Sequence, residues 1–172
     1  MPADLPKGFP EPTDIGTIEV KKYPHYRAVT YRHQGDLTVA TRMAFNPLFQ
    51  HISTNNIAMT TPVEARYLQE GSWEETSAAD VSFLYSQPEI NPQTVDADVT
   101  VTDTPEMMVV SIGIQGPYTW ESYQIHLDKL KDWLQQHPEY QIFGPPRRLF
   151  YNSPMTPPYL KYSEVQIPIT PR

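Results

Sequence analysis

Three kinds of group in this sequence have the chemistry to hold or transform a small molecule: one well-placed carboxylate, a set of aromatic side chains and five histidines. The carboxylate is Glu164, in the run YSEVQIPI near the end of the chain. That run alternates. Ser163, Val165, Ile167 and Ile169 share one face, and Tyr162, Glu164, Gln166 and Pro168 share the other. With the apolar face against a core, Glu164 points the opposite way, with Tyr162 beside it. Burial raises the pKa of such a group and a cationic neighbour lowers it again. It can attract a cation, accept a hydrogen bond or act as a general base; a strand glutamate facing solvent has the same alternation. Tyr31, Tyr67, Trp73, Tyr85, Tyr118, Trp120, Tyr151 and Tyr159 suit the wall of a cavity for a flat or cationic molecule. Taken singly, each is equally at home in a core. The histidines are His25, His33, His51, His126 and His137, none of them in HExxH or another close pair, so no zinc site is expected. A single histidine can hold haem iron, and His51 and His126 fall on the two segments that read as helices. GxSxG, P-loop and GxGxxG motifs are absent.

Composition narrows the classes. The chain has 172 residues, which suits one domain over 1–172. It contains no cysteine, so disulfides, thiolate metal sites and thiol catalysis are excluded; this fits a reducing, cytoplasmic setting. The net charge is −7, and Arg147–Arg148 is the densest basic pair, which argues against a nucleic-acid partner. No apolar run approaches the ~20 residues of a membrane span. Residues 1–16 carry four prolines and no apolar signal core, and read as an extended arm. Nineteen prolines against seven glycines point to strand ends and stiff connections, not a helical bundle.

The elements that must position these groups come in two similar sets. Residues 17–33 read as two strand runs broken at Tyr23–Pro24, and residues 36–53 as a helix with Phe45, Leu48 and Ile52 on one face and a misplaced Pro47. A strand over 57–68, a polar loop over 69–79 and a strand over 80–87 follow. The pattern then restarts. Residues 98–116 are strand, proline break, strand; residues 119–136 are a helix with Trp120, Tyr123, Leu127, Leu130 and Leu134 on one face, placing Trp133 on another. RRLFYN and KYSEVQIPI close the chain as strands. At an offset of 81 residues Val20, Pro24, Val29, Gln34 and Gly35 meet Val101, Pro105, Val110, Gln115 and Gly116 without a gap. The expected fold is therefore α+β: a duplicated module (17–90 and 98–170) of curved antiparallel sheets forming a distorted barrel with two packed helices. Across the offset, Arg27, Tyr31 and His33 meet Met108, Ile112 and Ile114. If that face bordered the cleft, the site would have one polar wall and one apolar wall.

IEVKKYPHYRAV, AFNPLFQHIS, IAMTTPV (with Met59) and the C-terminal YNSP and EV resemble the SOUL haem-binding protein family. GPYTWESYQIHLDKLKDWL, GPPRRLFYNSP and YSEVQIPI equally resemble the gyrase-inhibitor-like effector-binding domains of multidrug-sensing regulators. The resemblance implies a barrel-like domain that binds a small hydrophobic or amphipathic molecule. On the first side this is haem or another tetrapyrrole, with His51 or His126 as axial candidates. On the second it is a hydrophobic, often cationic, compound beside Glu164. Some members of the second group resemble hydrolases, which here would use Glu164 with Tyr118 or Tyr151. Where the SOUL motif can carry histidine after Lys21, this chain has Lys22. The ligand-binding set expected is Glu164, Tyr31, His33, Arg27, Tyr118, Trp120, Tyr151, Tyr162 and Met59.

Overall fold

The protein is described by a computed structural model over residues 3–68 and 77–172. Trp73 and most of the polar loop lie outside these residues. In the first half come β1 (Ile18–Tyr23), β2 (Tyr26–Gln34), α1 (Ala40–Thr54), β3 (Val63–Leu68) and β4 (Ala78–Leu84). The second half has β5 (Thr100–Thr104), β6 (Met107–Gln115), α2 (Trp120–Gln135), a short β7 (Tyr140–Ile142), β8 (Arg147–Phe150) and β9 (Tyr162–Pro171). Shifted by 81, the bounds of β2 become those of β6. Gly35 and Gly116, equivalent under the same shift, both take positive φ (106° and 131°) where their strands end. The shared Gln-Gly ending thus has a cause: the chain must leave each strand through a backbone conformation that only glycine adopts cheaply.

All strands join one antiparallel sheet in the order β1-β6-β9-β8-β3-β4-β2-β5, with β7 on β9. The order is symmetric about the β8–β3 pair. The first strand of each half has crossed to the other: β1 pairs with β6, and β5 with β2. Pro24 and Pro105 sit at the two crossing points, where a residue without an N–H ends one ladder before the next begins. The two strand runs before each helix are therefore separate strands serving different halves.

Helices cover the convex side of the sheet. Ala40, Ala44, Leu48, His51 and Ile52 of α1, and Tyr123, Leu127 and Leu130 of α2, are buried. They pack with Val29, Val81, Phe83, Val110, Val165 and Ile167 in the main core. Phe45, expected on the buried face, is 42% exposed, and its ring stacks on Phe49 with centroids 5.6 Å apart. Pro47 lies within α1 and offers no N–H to the carbonyl one turn back, that of the exposed Met43. Thr119 caps α2 by accepting a hydrogen bond from the Ser122 N–H at 3.1 Å. Trp120 and Trp133 both pack against the core edge. The strand expected from residue 57 begins only at Val63, because Pro62 offers no N–H to a ladder.

Candidate functional site

The concave side of the sheet carries the opposite set of alternate residues, and it is polar at its floor. Register puts Glu164 of β9 across from Gly113 of β6 and Leu149 of β8, and Gln166 across from Ser111 and Arg147. Glu64 of β3 faces Leu149 from the other half. Glu164 is wholly buried. Its Oε2 accepts from Lys21 Nζ at 2.6 Å, from the Thr13 N–H at 2.9 Å and from Ser111 Oγ at 3.1 Å; its Oε1 accepts from the Tyr151 hydroxyl. Burial alone would raise its pKa, but the Lys21 charge and the hydrogen bonds hold the carboxyl below its ordinary value. Burial and the Glu164 charge push the Tyr151 phenol far up, so it stays a protonated donor.

A second cluster adjoins the first. Arg147, also wholly buried, donates to Glu64 Oε2 at 2.6 Å, to the Tyr26 hydroxyl at 2.8 Å and to Gln166 Oε1 at 2.9 Å. The Tyr26 hydroxyl donates to the same Glu64 oxygen at 2.8 Å, and Arg66 approaches it at 3.4 Å. Desolvation works against the Glu64 charge, yet Arg147 and Arg66 outweigh it and keep that carboxyl depressed. Burial and Glu64 raise the Tyr26 phenol to about 12. Gln166 links the clusters by donating to Tyr23 at 2.8 Å and to Ser111 at 3.1 Å. The Arg147 guanidinium lies 4.7 Å from the Tyr23 ring centre. Its Nη2 is buried without a hydrogen-bond partner.

Of the residues singled out from sequence, Glu164, Tyr151 and Tyr162 meet at this floor, the Tyr162 hydroxyl donating to the Thr13 carbonyl. Tyr118 touches only the edge: its hydroxyl donates to the Tyr162 carbonyl at 2.7 Å and accepts from the Asn152 N–H at 3.0 Å. Arg27, Tyr31 and His33 share the face of Val29, which looks to the helices. Arg27 pairs with Asp103 at 2.9 Å, Tyr31 packs on the main core, and His33 meets the Asp36 carbonyl at 2.8 Å. The asymmetric cleft expected from these three does not form, because their strand turns its other face, with Tyr26, Ala28 and Thr30, to the concavity. Trp120 packs edge-on against Tyr67, and Met59 lies half-exposed before β3. His51 is buried in the core with Nε2 2.7 Å from the Tyr85 hydroxyl, and burial lowers its pKa. His126 turns Nδ1 to the Ser122 carbonyl of its own helix at 2.6 Å. Sequence reasoning passed over Lys21, Glu64, Arg66, Arg147 and Thr13. A usable signal was present: charged residues at alternate positions of a strand-like run, as Glu64 and Arg66 in VEARYL, mark a face that is not core. Among the described residues no group of three histidines or carboxylates is placed to hold a metal, and no helix is long and apolar enough to cross a membrane.

This curled antiparallel sheet with two packed helices is a fold shared with solved structures. The match to the SOUL heme-binding protein family spans residues 11–168, and the chain belongs to that family. The crystal structure of the EcmrR C-terminal domain superposes with a TM-score of 0.75 at 13% identity, covering 91% of this chain and 98% of that one. In the EcmrR–DNA complex the same likeness (TM-score 0.74, 13% identity, 91% of this chain) spans 58% of the EcmrR chain. SAV2435 bound to tetraphenylphosphonium superposes with a TM-score of 0.59 at 10% identity, over 90% of this chain and 94% of that one. No curated protein matches the sequence.

Proposed function

We propose that this protein binds, without turnover, a flat aromatic small molecule bearing acidic groups, the chemistry of a tetrapyrrole, on its concave face. One observation carries the reading. The buried carboxylates there are already matched, Glu164 by Lys21 and Glu64 by Arg147 and Arg66. Three cations thus stand against two carboxylates, and the Arg147 Nη2 has no partner. Such a floor favours an acidic group over a cation. Tyr23, Tyr26, Tyr151 and Tyr162 supply flat walls beside it. Family membership supports haem as the probe. The fit is to the porphyrin periphery and not to its iron: His51 is held in the core by Tyr85, and the His126 Nδ1 is taken by its own helix.

The cation-capture alternative draws support from SAV2435, whose structure holds tetraphenylphosphonium. In this chain a cation at Glu164 would have to displace Lys21 from a 2.6 Å buried pair. A hydrolase using Glu164 with Tyr151 needs a free base, whereas this carboxylate accepts four hydrogen bonds and is held in its weakly basic form.

Titration of the purified protein with hemin, metal-free protoporphyrin and tetraphenylphosphonium tests the reading. Both porphyrins are expected to bind with similar affinity, at least ~10-fold tighter than the cation, a gap of about 1.4 kcal/mol. His51→Ala and His126→Ala should leave the Soret band of bound hemin unchanged. Absence of porphyrin binding below millimolar concentration, or tighter binding of the cation, would overturn it.

A further inference from the structure

The arm before β1 does not hang free. It crosses the concave face, and Glu164, Tyr162 and Lys21 of the floor read its backbone. The Glu164 carboxylate accepts the Thr13 N–H at 2.9 Å, while the Tyr162 hydroxyl donates to the carbonyl of the same residue. Lys21 Nζ donates to the Glu11 carbonyl at 3.0 Å. The Gly16 N–H donates to the Gly113 carbonyl at 2.9 Å, the Lys7 N–H donates to the Ser86 carbonyl at 2.9 Å, and the Asp4 carbonyl accepts from the Thr61 N–H at 3.0 Å. Thr13 is buried, and its hydroxyl donates to Ser111 at 3.0 Å. Four residues before it, Phe9 packs edge-on against Tyr23 and Tyr26, with centroids 5.0 and 5.3 Å away. Those two rings flank the Arg147 cluster.

The fit extends to the groove's own sequence. A Cβ on Gly113 would fall well inside 3.0 Å of the Thr13 and Asp14 carbonyl oxygens. At this point β6 lets a second backbone lie on it, and only glycine leaves that space. Pro6, Pro10 and Pro12 stiffen the arm and lower the entropy lost on docking it. Its charged side chains, Asp4, Lys7, Glu11 and Asp14, all face solvent. Beside it, a groove of about 420 Å3 stays open between Pro10–Asp14 and β1.

We propose that residues 4–16 are a displaceable internal ligand: the concave face is a groove that recognises extended peptide backbone, and this segment holds the site that the small molecule must take. The second clause rests on the function proposed above; the first does not. Binding of porphyrin then costs the release of the arm, and Lys21, freed from Glu11, turns to the incoming acidic group. Anything that detaches the arm opens the site.

The test uses the full chain with Phe9→Ala and Thr13→Pro together. These remove the aromatic anchor and the N–H read by Glu164 and leave the groove intact. Gly113→Ala reaches the same end from the groove side. Release is read as faster tryptic cleavage after the exposed Lys7, with circular dichroism checking the fold. A synthetic peptide of residues 3–17 should bind the arm-released double variant and not Gly113→Ala, whose methyl blocks the seat. Protoporphyrin should bind the double variant at least ~10-fold tighter than the wild type, and the peptide should reverse that gain. If neither variant speeds cleavage after Lys7, or if the peptide fails to bind the released double variant, the arm is not a displaceable ligand. If the peptide binds and porphyrin ignores it, the arm does not compete for the site and that half of the proposal falls. Peptide binding with no porphyrin binding to any variant would uphold the peptide groove and sink the small-molecule reading instead.

Discussion

Replacing Lys21 by methionine should cost far more at pH 7 than at pH 5. The substitution keeps the side chain's apolar stem and deletes the charge that faces Glu164 at 2.6 Å, where the two side chains are 4% and 0% exposed. Breaking a buried pair from one side typically costs about 3–5 kcal/mol, because the remaining charge is stranded. Glu164 has an escape, which is to take up a proton. From an ordinary carboxyl value of 4.5, holding it protonated at pH 7 costs about 2.5 pH units, or about 3.4 kcal/mol at 1.36 kcal/mol per unit. The three donors that remain ease the stranded charge itself, so about 3 kcal/mol is expected, with a melting temperature lower by about 6–12 °C. At pH 5 the same escape costs about 0.7 kcal/mol, and most of the penalty should vanish. Lys21→Met combined with Glu164→Gln should recover much of the loss at pH 7 by removing the stranded charge. Urea denaturation of the four proteins at both pH values measures these differences. An equal loss at pH 5 and pH 7, or a double variant no better than the single one, would refute the assignment of Lys21 as the counter-ion of Glu164.

Acid should weaken the protein in two stages. Burial holds His51 below its usual 6.5, so its contribution is whole above pH 6.5 and declines as the unfolded chain begins to take protons that the folded one refuses. Glu164 and Glu64 are held below 4.5; their share is whole above that value and is lost as the pH falls through their folded values. His51→Gln should flatten the first stage in denaturation curves between pH 5 and 6.5, and a wild-type curve already flat there would contradict it. Leu130→Ala, at a fully buried position of α2, should cost about 2–5 kcal/mol in chemical unfolding. Thr119→Ala should cost about 1 kcal/mol by removing the cap on α2, and a loss below a few tenths would show that the Ser122 N–H finds water instead.

Much of this fold could be read from residue spacing. The two helices, the proline breaks and the repeated order of elements were visible because each rests on a local rule: helical periodicity, the missing proline N–H, the glycine with positive φ. The alternation in β9 also placed Glu164 opposite the core. Strand exchange between the halves was not visible, since pairing partners lie far apart in sequence and alternation does not name them. For the same reason Arg27, Tyr31 and His33 were assigned to the cleft when their face meets the helices: a strand's pattern shows that it has two faces, and only its packing tells which is which. Lys21 and Arg147 escaped notice because a charged residue in a strand usually faces water. Their burial follows from Glu164 and Glu64 being buried opposite them, which is a property of the assembled sheet.

The crossing of β1 onto β6 and of β5 onto β2 bears on how such a chain comes into being. Neither half can complete its sheet from its own residues. A fragment holding residues 17–90 alone would present an open strand edge where the other half's first strand belongs, and a mate for its own β1 would be missing. One copy of the module meets both needs only by pairing with a second copy that returns the exchange. The present chain therefore has the logic of a two-fold dimer whose subunits have been joined end to end. Within one chain the two concave floors can differ, and a single arm, entering from one end, can lie across both.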